Sequence, residues 1–219
     1  MHWRLQRAME QARRAPRAWR GLAWQARARH FPHDDEGLVR LHIGCGEIAA
    51  PGFVNVDARR YPHVQLVTRN LFALKMVPDG AASLVYMCLV LEHISFRLVH
   101  RVLVEMRRVL APGGTLRLSV SDFDLVLAIY EANDRRPETI VGPLMGGQDY
   151  TFNYHYNVFT RDSLAAALGK AGFVNVRIWS PNACLHHDFE DWASRPVTVC
   201  GRDFPISLNL EATVPKWVA

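Results

Sequence analysis

The feature that most constrains this chain is a short apolar run ending in a glycine turn, followed closely by a second run ending in an acid. The first run is Leu41-His42-Ile43-Gly44-Cys45-Gly46, and the second is Phe53-Val54-Asn55-Val56-Asp57. Glycines at such a turn let the backbone approach a ligand where a side chain would block it. An acid at the end of the next strand can accept hydrogen bonds from two ribose hydroxyls. The pair predicts a nucleoside pocket, although a glycine pair after a strand is often only a turn.

The spacing within this pattern narrows the kind of nucleoside. A dinucleotide fingerprint has a third glycine at the start of a full helix and its acid about 20 residues further on. Here the corresponding residue is Ala49, and only ten residues separate Gly46 from Asp57. The connection therefore has room for about one helical turn, closed by Pro51-Gly52. A pyrophosphate cradle is not expected, which argues against a nicotinamide-dependent oxidoreductase and favours a ligand without phosphates.

Charge is distributed unevenly along the chain. Residues 1–30 hold eight arginines and one glutamate, so subtracting the +7 of this arm from the net charge of +5 leaves −2 for residues 31–219. The body is not basic, and no nucleic-acid partner is expected. The arm has the helical spacing and tryptophans of a basic amphipathic segment. Three interpretations stay open: packing on its own domain or partial disorder, peripheral contact with an anionic membrane, and a transit peptide.

The cysteines and apolar runs indicate a cellular setting. Four cysteines without a Cys-x-x-Cys pair suggest neither a zinc ribbon nor a disulfide framework. No apolar run reaches the length of a membrane span, and no signal peptide with a hydrophobic centre is present. A cytoplasmic protein is expected, and the membrane interpretation of the arm would place it at the inner face of the membrane.

From Leu38 onward, apolar runs of strand length alternate with helical spacing. This alternation predicts one α/β domain over residues 38–219, with a mostly parallel sheet and helices on both faces. After the first strand, which ends before Gly44, the predicted strands end near Asp57, Val67, Cys88, Val120, Ser180 and Ala212. The strand that ends at Val120 is the fifth and is predicted to begin at Thr115. The predicted helices are Leu98 to Leu110, Asp122 to Asn133 and Thr160 to Ala171. Residues 134–158 form a long aromatic-rich loop, expected to be a substrate lid above the strand ends.

Five motifs in sequence order resemble the class I S-adenosylmethionine-dependent methyltransferases. They are Leu41 to Gly46, Asp57, Leu89-Val90-Leu91-Glu92-His93-Ile94, Arg108-Val109-Leu110-Ala111-Pro112-Gly113-Gly114-Thr115-Leu116 and Ala171-Gly172-Phe173-Val174-Asn175-Val176. Each is common alone, but five in order are specific. The resemblance implies a Rossmann-like methyltransferase fold with a truncated first helix, an antiparallel last strand, and S-adenosylmethionine as cofactor. The short glycine-to-acid spacing and the stretch from Pro205 to Ala212 also resemble a bacterial type 11-like subgroup linked to surface-glycan synthesis.

The resemblance assigns cofactor contacts by position. The positions that would contact the cofactor are Gly44, Cys45 and Gly46 at its methionine part, Asp57 at the ribose, Asn70 and Leu71 beside adenine, and the backbone carbonyls of Cys88 and Leu89 at the amino group. Two positions depart from the family pattern: Ser83 stands where an acid is usual, and Asn70 stands where Asp is common. An Asn side chain can still accept from the adenine amino group through its carbonyl oxygen.

Methyl transfer from a sulfonium needs alignment of nucleophile, carbon and sulfur, and a hydroxyl acceptor needs a base as well. His93, Asp122 and His155 are the candidate bases, because each is predicted near the carboxyl ends of strands, where ligands bind in open sheets. Each has a structural alternative: a helix-start histidine bonded to backbone for His93, an N-cap for Asp122 and a loop histidine for His155. His155 is the favoured base.

Two groups of side chains resemble metal ligands without completing a set. The first is Glu92 with His93 and His155, but the acid expected one turn earlier is replaced by Leu89. The second is the Cys- and His-containing segment 184–188, which has no matching spacing elsewhere and is expected to be a surface loop. No metal site is predicted.

The sequence therefore predicts a methyltransferase that transfers a methyl group from S-adenosylmethionine to a hydroxyl of a small molecule or saccharide precursor. Tyr150, Phe152, Tyr154 and Tyr156 suit stacking on a sugar ring. The alternative is a binding module that keeps the fold but does not transfer, and turnover separates the two. Oligomeric state is not predicted.

Overall fold

The structure, a computed structural model, describes residues 24–181 and 183–216. Most strands of this part form one sheet of seven, in the order β3-β2-β1-β4-β5-β9-β6. The sheet strands are β1 Val39–Ile43, β2 Val54–Asp57, β3 Leu66–Val67, β4 Ala82–Cys88, β5 Leu110–Ser121, β6 Val174–Ile178 and β9 Ser207–Thr213. A separate hairpin pairs β7 Val197–Val199 with β8 Arg202–Phe204.

Strand direction follows the predicted pattern. The pairs from β3 through β5 are parallel, and β9 runs antiparallel to both β5 and β6. The mostly parallel sheet with an antiparallel last strand is confirmed. Chain order reverses between β1 and β4, which places a crevice at their carboxyl ends.

Four helices follow strands in the described part. They are α1 Val99–Val109, α2 Phe123–Ala132, α3 Val141–Met145 and α4 Arg161–Lys170, and single 3-10 turns lie at Leu91–His93 and Pro137–Thr139. Asp122 caps α2 by accepting from the Asp124 N–H at 3.0 Å. Thr160 caps α4 through a reciprocal pair of hydrogen bonds with Ser163. These caps explain why both helices begin where the sequence predicts.

The two faces of the sheet are covered differently. Leu41, Ile43 and their neighbours on the first face pack in one core with α1 and α4. On the second face, where the sequence also predicts helices, Phe53 and Tyr86 pack against side chains of the segment 179–193. The connection from β1 to β2, expected to hold about one helical turn, is a series of turns. The second face therefore depends on chain from after β6.

Residues 1–23 of the arginine-rich arm lie outside the described residues. The end of the arm, residues 24–28, is helical, and Trp24 packs edge-on against Phe31 with ring centres 5.6 Å apart. Both rings contact the main core. In the described residues, no helix is long and apolar enough to cross a membrane.

Candidate functional site

A cavity of about 760 Å³ opens at the carboxyl ends of β1, β2 and β4, beside the crevice between β1 and β4. Its walls are the turns after these strands, the segment 142–156 and residues from 191 to 206. The sequence-predicted residues that line it are Gly44, Cys45, Gly46, Asp57, Leu71, Cys88, Leu89, His93 and His155. The cavity therefore brings most of the predicted cofactor and acid–base positions together.

The backbone at the bottom of the cavity is tightly packed. Gly44 has φ +70°, and a Cβ built there would lie 2.4 Å from Val90 Cγ2. Leu89, directly after β4, has φ +48°, a conformation that non-glycine residues seldom adopt. Strain of this kind clusters where a fold positions backbone for a ligand. Only glycine fits at position 44.

The Asp57 carboxylate is buried, with 7% exposure, and is fixed by backbone donors. Its Oδ2 accepts from the Gly46 N–H at 2.8 Å, and its Oδ1 accepts from the Arg59 N–H at 2.7 Å. Each carboxylate oxygen has a further lone pair. The glycine turn and the acid are thus joined directly, and the carboxylate retains capacity to accept from a ligand's hydroxyls.

The two cysteines of the cavity are protonated thiols. Burial raises the pKa of Cys45 to about 12, and burial also raises the pKa of Cys88. Because the thiolate is the nucleophile, neither side chain is activated for covalent chemistry at neutral pH.

Asn70 does not line the cavity. Its side chain is exposed, and Oδ1 accepts from the Phe72 N–H at 3.0 Å, which closes a local turn. Leu71 and Phe72, which follow this turn, do line the cavity. The structure thus places the apolar neighbours of Asn70, rather than its amide, on the wall of the cavity.

His93 and His155 lie against each other, with ring centres 4.9 Å apart. Nδ1 of His93 is 3.1 Å from the Tyr154 carbonyl, and Nδ1 of His155 is 3.1 Å from the Pro143 carbonyl. A carbonyl only accepts, so Nδ1 carries the proton in each ring and Nε2 is the basic nitrogen. Burial lowers the pKa of both histidines, and burial together with His93 lowers that of His155 to about 4. Both rings are neutral at pH 7.

The third candidate base, Asp122, is not among the residues that line the cavity. Its carboxylate caps α2, and burial raises its pKa. Its candidacy as a base rests on the sequence alone.

Glu92, which precedes His93 in the 3-10 turn, is buried with 1% exposure. Its Oε1 accepts from the Ser121 N–H at 3.0 Å, whereas Oε2 has no partner among the described residues. Burial raises the pKa of Glu92 to about 7. In the part of the chain that the structure describes, no three His, Cys, Asp or Glu side chains are placed to hold a metal ion.

The predicted lid is attached to the end of β4. The Tyr156 N–H donates to the Glu92 carbonyl at 2.7 Å, next to the bond between His93 and Tyr154. The loop also contains α3, which the sequence does not predict. Its aromatic rings Tyr150, Phe152, Tyr154 and Tyr156 are all exposed, Tyr156 most of all at 58%. The lid therefore positions His155 and presents aromatic rings at the cavity mouth.

The sequence reasoning missed one wall of the cavity, formed by Asp191, Trp192 and Arg195. Asp191, with 1% exposure, accepts from the Tyr86 hydroxyl on β4 and faces Nε2 of His187 at 3.4 Å. This network anchors the 191–195 segment to the sheet. The segment has neither strand nor helix periodicity, so the sequence carried no pattern that could have placed it.

Comparisons with known proteins agree with this geometry. A methyltransferase domain family matches residues 12–178, about three quarters of the chain. A comparison with curated proteins finds no match.

Similar solved structures include three S-adenosylmethionine-dependent methyltransferases. The Thermotoga maritima structure has TM-score 0.51 and 17% identity, with 87% of each chain covered. The Archaeoglobus fulgidus structure has TM-score 0.52 and 14% identity, with 89% of this chain and 94% of that chain covered. The Methanosarcina mazei structure has TM-score 0.52 and 17% identity, with 84% and 96% covered. The chain belongs to the methyltransferase domain family, and its fold is the Rossmann-like fold of S-adenosylmethionine-dependent methyltransferases.

Proposed function

We propose that this chain binds S-adenosylmethionine in the cavity and transfers its methyl group to a hydroxyl of a small molecule or saccharide precursor. The observation that carries the proposal is the junction of the glycine turn with Asp57, which leaves a fixed, buried carboxylate at the end of β2. S-adenosylmethionine, the cofactor of this fold, supplies an electrophilic methyl group. Gly44 to Gly46 would hold its methionine part, Asp57 its ribose, and Leu71 with Phe72 its adenine.

His155 supports a hydroxyl as the acceptor. Its ring lines the cavity, and its neutral form has a basic Nε2. The acceptor oxygen would bond to the methyl carbon as the bond from that carbon to the cofactor's sulfur breaks, releasing S-adenosylhomocysteine, and Nε2 of His155 would accept the hydroxyl proton. His93 lies behind it, and its contact with the Tyr154 carbonyl holds the same lid in place.

The lid supports a saccharide as the acceptor class. Four aromatic rings lie exposed on the loop that also carries His155. Flat apolar rings next to polar groups are suited to a sugar, which has an apolar ring face and polar hydroxyls.

Calorimetric titration with S-adenosylmethionine and S-adenosylhomocysteine tests the cofactor half. Replacing Asp57 by Ala leaves ribose hydroxyls unpaired, so we expect affinity to fall by about 5- to 150-fold, or about 1 to 3 kcal/mol. Asp124→Ala, which removes an exposed carboxylate outside the cavity, serves as control and should leave the affinity unchanged. Equal affinity for wild type and Asp57→Ala would contradict the assignment.

Transfer of a labelled methyl group to a pool of saccharide precursors tests the proposed acceptor. With any acceptor that turns over, His155→Asn should lower kcat by about 10² to 10⁴ while retaining S-adenosylhomocysteine binding. Tight cofactor binding without transfer to any acceptor would instead favour the binding module. The low pKa of His155, which limits its strength as a base, is the observation that keeps this second function in view.

A further inference from the structure

A second cleft opens beside the nucleoside end of the cavity. Its lining residues, from the ends of β2 and β3 and the turns that follow, are Ala58, Arg59, Arg60, Val67, Thr68 and Arg69. We call this set the arginine cleft. Arg60 and Arg69 are exposed, and Arg59 is half-buried. Three arginines therefore line a cleft that has no acidic side chain in its lining.

Arg59 is held in place from three sides. Its Nε lies 3.6 Å from Asp57 Oδ1, and its guanidinium carbon lies 4.3 Å from the ring centre of Tyr150 and 5.0 Å from that of Tyr61. Among the described residues its terminal nitrogens have no hydrogen-bond partner. Arg59 thus adds a fixed positive charge to one side of the cleft.

The other hydrogen-bond donors of the cleft, on Arg60, Thr68 and Arg69, are available to a ligand. Arg69 stacks on Phe152 at 5.7 Å, and neither Arg60 nor Arg69 pairs with a carboxylate within residues 24–181 and 183–216. The Thr68 hydroxyl accepts from the Asn70 N–H at 3.1 Å, so its own proton remains available to donate. The cleft therefore presents two exposed guanidinium groups and one hydroxyl as unsatisfied donors.

The charge of the cleft stands out from its surroundings. Residues 31–219 carry a net charge of −2, yet three arginines line this cleft. The carboxylates near Arg59 are those of Asp57, at 3.6 Å, and of Asp149, whose pKa is lowered by a hydrogen bond from Asn153 and by the charge of Arg59. A guanidinium group matches the geometry of a phosphate by two parallel hydrogen bonds. We propose that the arginine cleft binds the phosphate group of a ligand, with Arg60, Arg69 and Thr68 as its donors. A sugar phosphate and a lipid headgroup share this chemistry.

The proposal goes beyond methyl transfer and does not depend on it. Arg59, Thr68 and Arg69 line both the cleft and the cavity, so a phosphate bound here lies at the nucleoside edge of the cavity, beside Phe152 of the lid. A phosphorylated ligand could therefore span both sites.

The test uses the full chain and three probes: inorganic phosphate, glucose 6-phosphate, and phosphatidylcholine vesicles containing phosphatidic acid. Phosphorus NMR titration measures the first two, with glucose as the uncharged comparison, and flotation measures the third against pure phosphatidylcholine. We expect at least one phosphate probe to bind and the double variant Arg60→Gln/Arg69→Gln to bind it at least about tenfold more weakly.

Arg97→Gln is the matched control, because Arg97 stacks on Phe96 at 5.6 Å much as Arg69 stacks on Phe152 and lies outside the cleft. If Arg60→Gln/Arg69→Gln weakens binding of inorganic phosphate or glucose 6-phosphate, the ligand is a free phosphate compound. If it weakens binding to the vesicles alone, the ligand is a lipid headgroup. Binding of none of the probes, or equal loss in Arg97→Gln, overturns the proposal. Arg69 also lines the cavity, so the same variant is titrated with S-adenosylhomocysteine. Loss of phosphate binding with this affinity unchanged assigns the phosphate to the cleft, whereas equal loss of both affinities would assign Arg69 to the cofactor and overturn the proposal.

Discussion

Replacing Gly44 by Ala should destabilise the fold and the cofactor site for two separable reasons. At φ +70°, an L-residue costs about 1 to 2 kcal/mol. The new Cβ would also lie 2.4 Å from Val90 Cγ2 in a packed core, and overpacking of this kind costs about 1 to 3 kcal/mol. We expect the free energy of unfolding to fall by about 2 to 5 kcal/mol, a large part of the roughly 5 to 15 kcal/mol typical of a domain.

Three further variants separate these contributions. Gly37 has φ +75° with no atom within 4 Å of a built Cβ, so Gly37→Ala should show the backbone cost alone. Replacing Val90 by Ala removes the clashing methyl, and the nearest remaining atom, the Val90 Cβ, is 3.6 Å away, an ordinary contact. The double variant Gly44→Ala/Val90→Ala should therefore lose less stability than the sum of its single variants, by about 1 to 3 kcal/mol.

Urea denaturation followed by circular dichroism measures the free energies of unfolding of the wild type and the four variants. Titration with S-adenosylhomocysteine shows whether the cofactor site follows the same order. If the two single effects add within about 0.5 kcal/mol, the contact between Gly44 and Val90 does not restrict this position. A loss for Gly37→Ala as large as that for Gly44→Ala would refute the steric argument as well.

The remaining predictions concern buried polar groups. Tyr86→Phe removes the donor to the buried Asp191 carboxylate, so the free energy of unfolding should fall by about 1 to 3 kcal/mol in urea, and a loss no larger than that of the exposed Tyr156→Phe would contradict this. Burial lowers the pKa of His42 to about 4, so acid favours the unfolded state below pH 6.5; burial raises the pKa of Glu92 to about 7, so its proton uptake favours the folded state as pH falls from 7. These two contributions oppose each other between pH 4.5 and 6.5. As the pH decreases through this range, the free energy of unfolding of Glu92→Gln should therefore fall more steeply than that of the wild type, by about 1.4 kcal/mol per pH unit. Urea denaturation at several pH values across the range checks this.

The sheet could be predicted from the sequence because its determinants are local. Apolar runs of strand length, Pro112 after a helical pattern and the caps Asp122 and Thr160 each mark an element without reference to distant residues. The β7–β8 hairpin was missed, although Cys200 and Gly201 form a two-residue turn with φ +51° and +74°, typical of such hairpins. Strand β5 begins at Leu110 rather than Thr115, since Leu110 pairs with Ala82 before the glycines.

The candidate site also has one part that the local sequence predicts and one part that it does not. Gly44 and Asp57 follow strands, so the sequence places them at one sheet edge, and the structure joins their turns by a hydrogen bond from Gly46. Asp191 contacts Tyr86 across more than a hundred residues, through a segment that has no regular periodicity. Such a contact depends on the three-dimensional path of the chain, which no local pattern contains.

The absence of a helix between β1 and β2 has a consequence for synthesis. On the second face, Phe53 and Tyr86 pack against Trp179, and Phe189 lies on the same cluster. A nascent chain that has emerged only through β5 leaves this aromatic face open to the solvent, because its cover has not yet left the ribosome. We therefore expect that the amino-terminal half, which carries the glycine turn and Asp57, does not fold as a separate unit. Fragments ending before residue 190 should engage chaperones, and cofactor binding should appear only after the last strand is made.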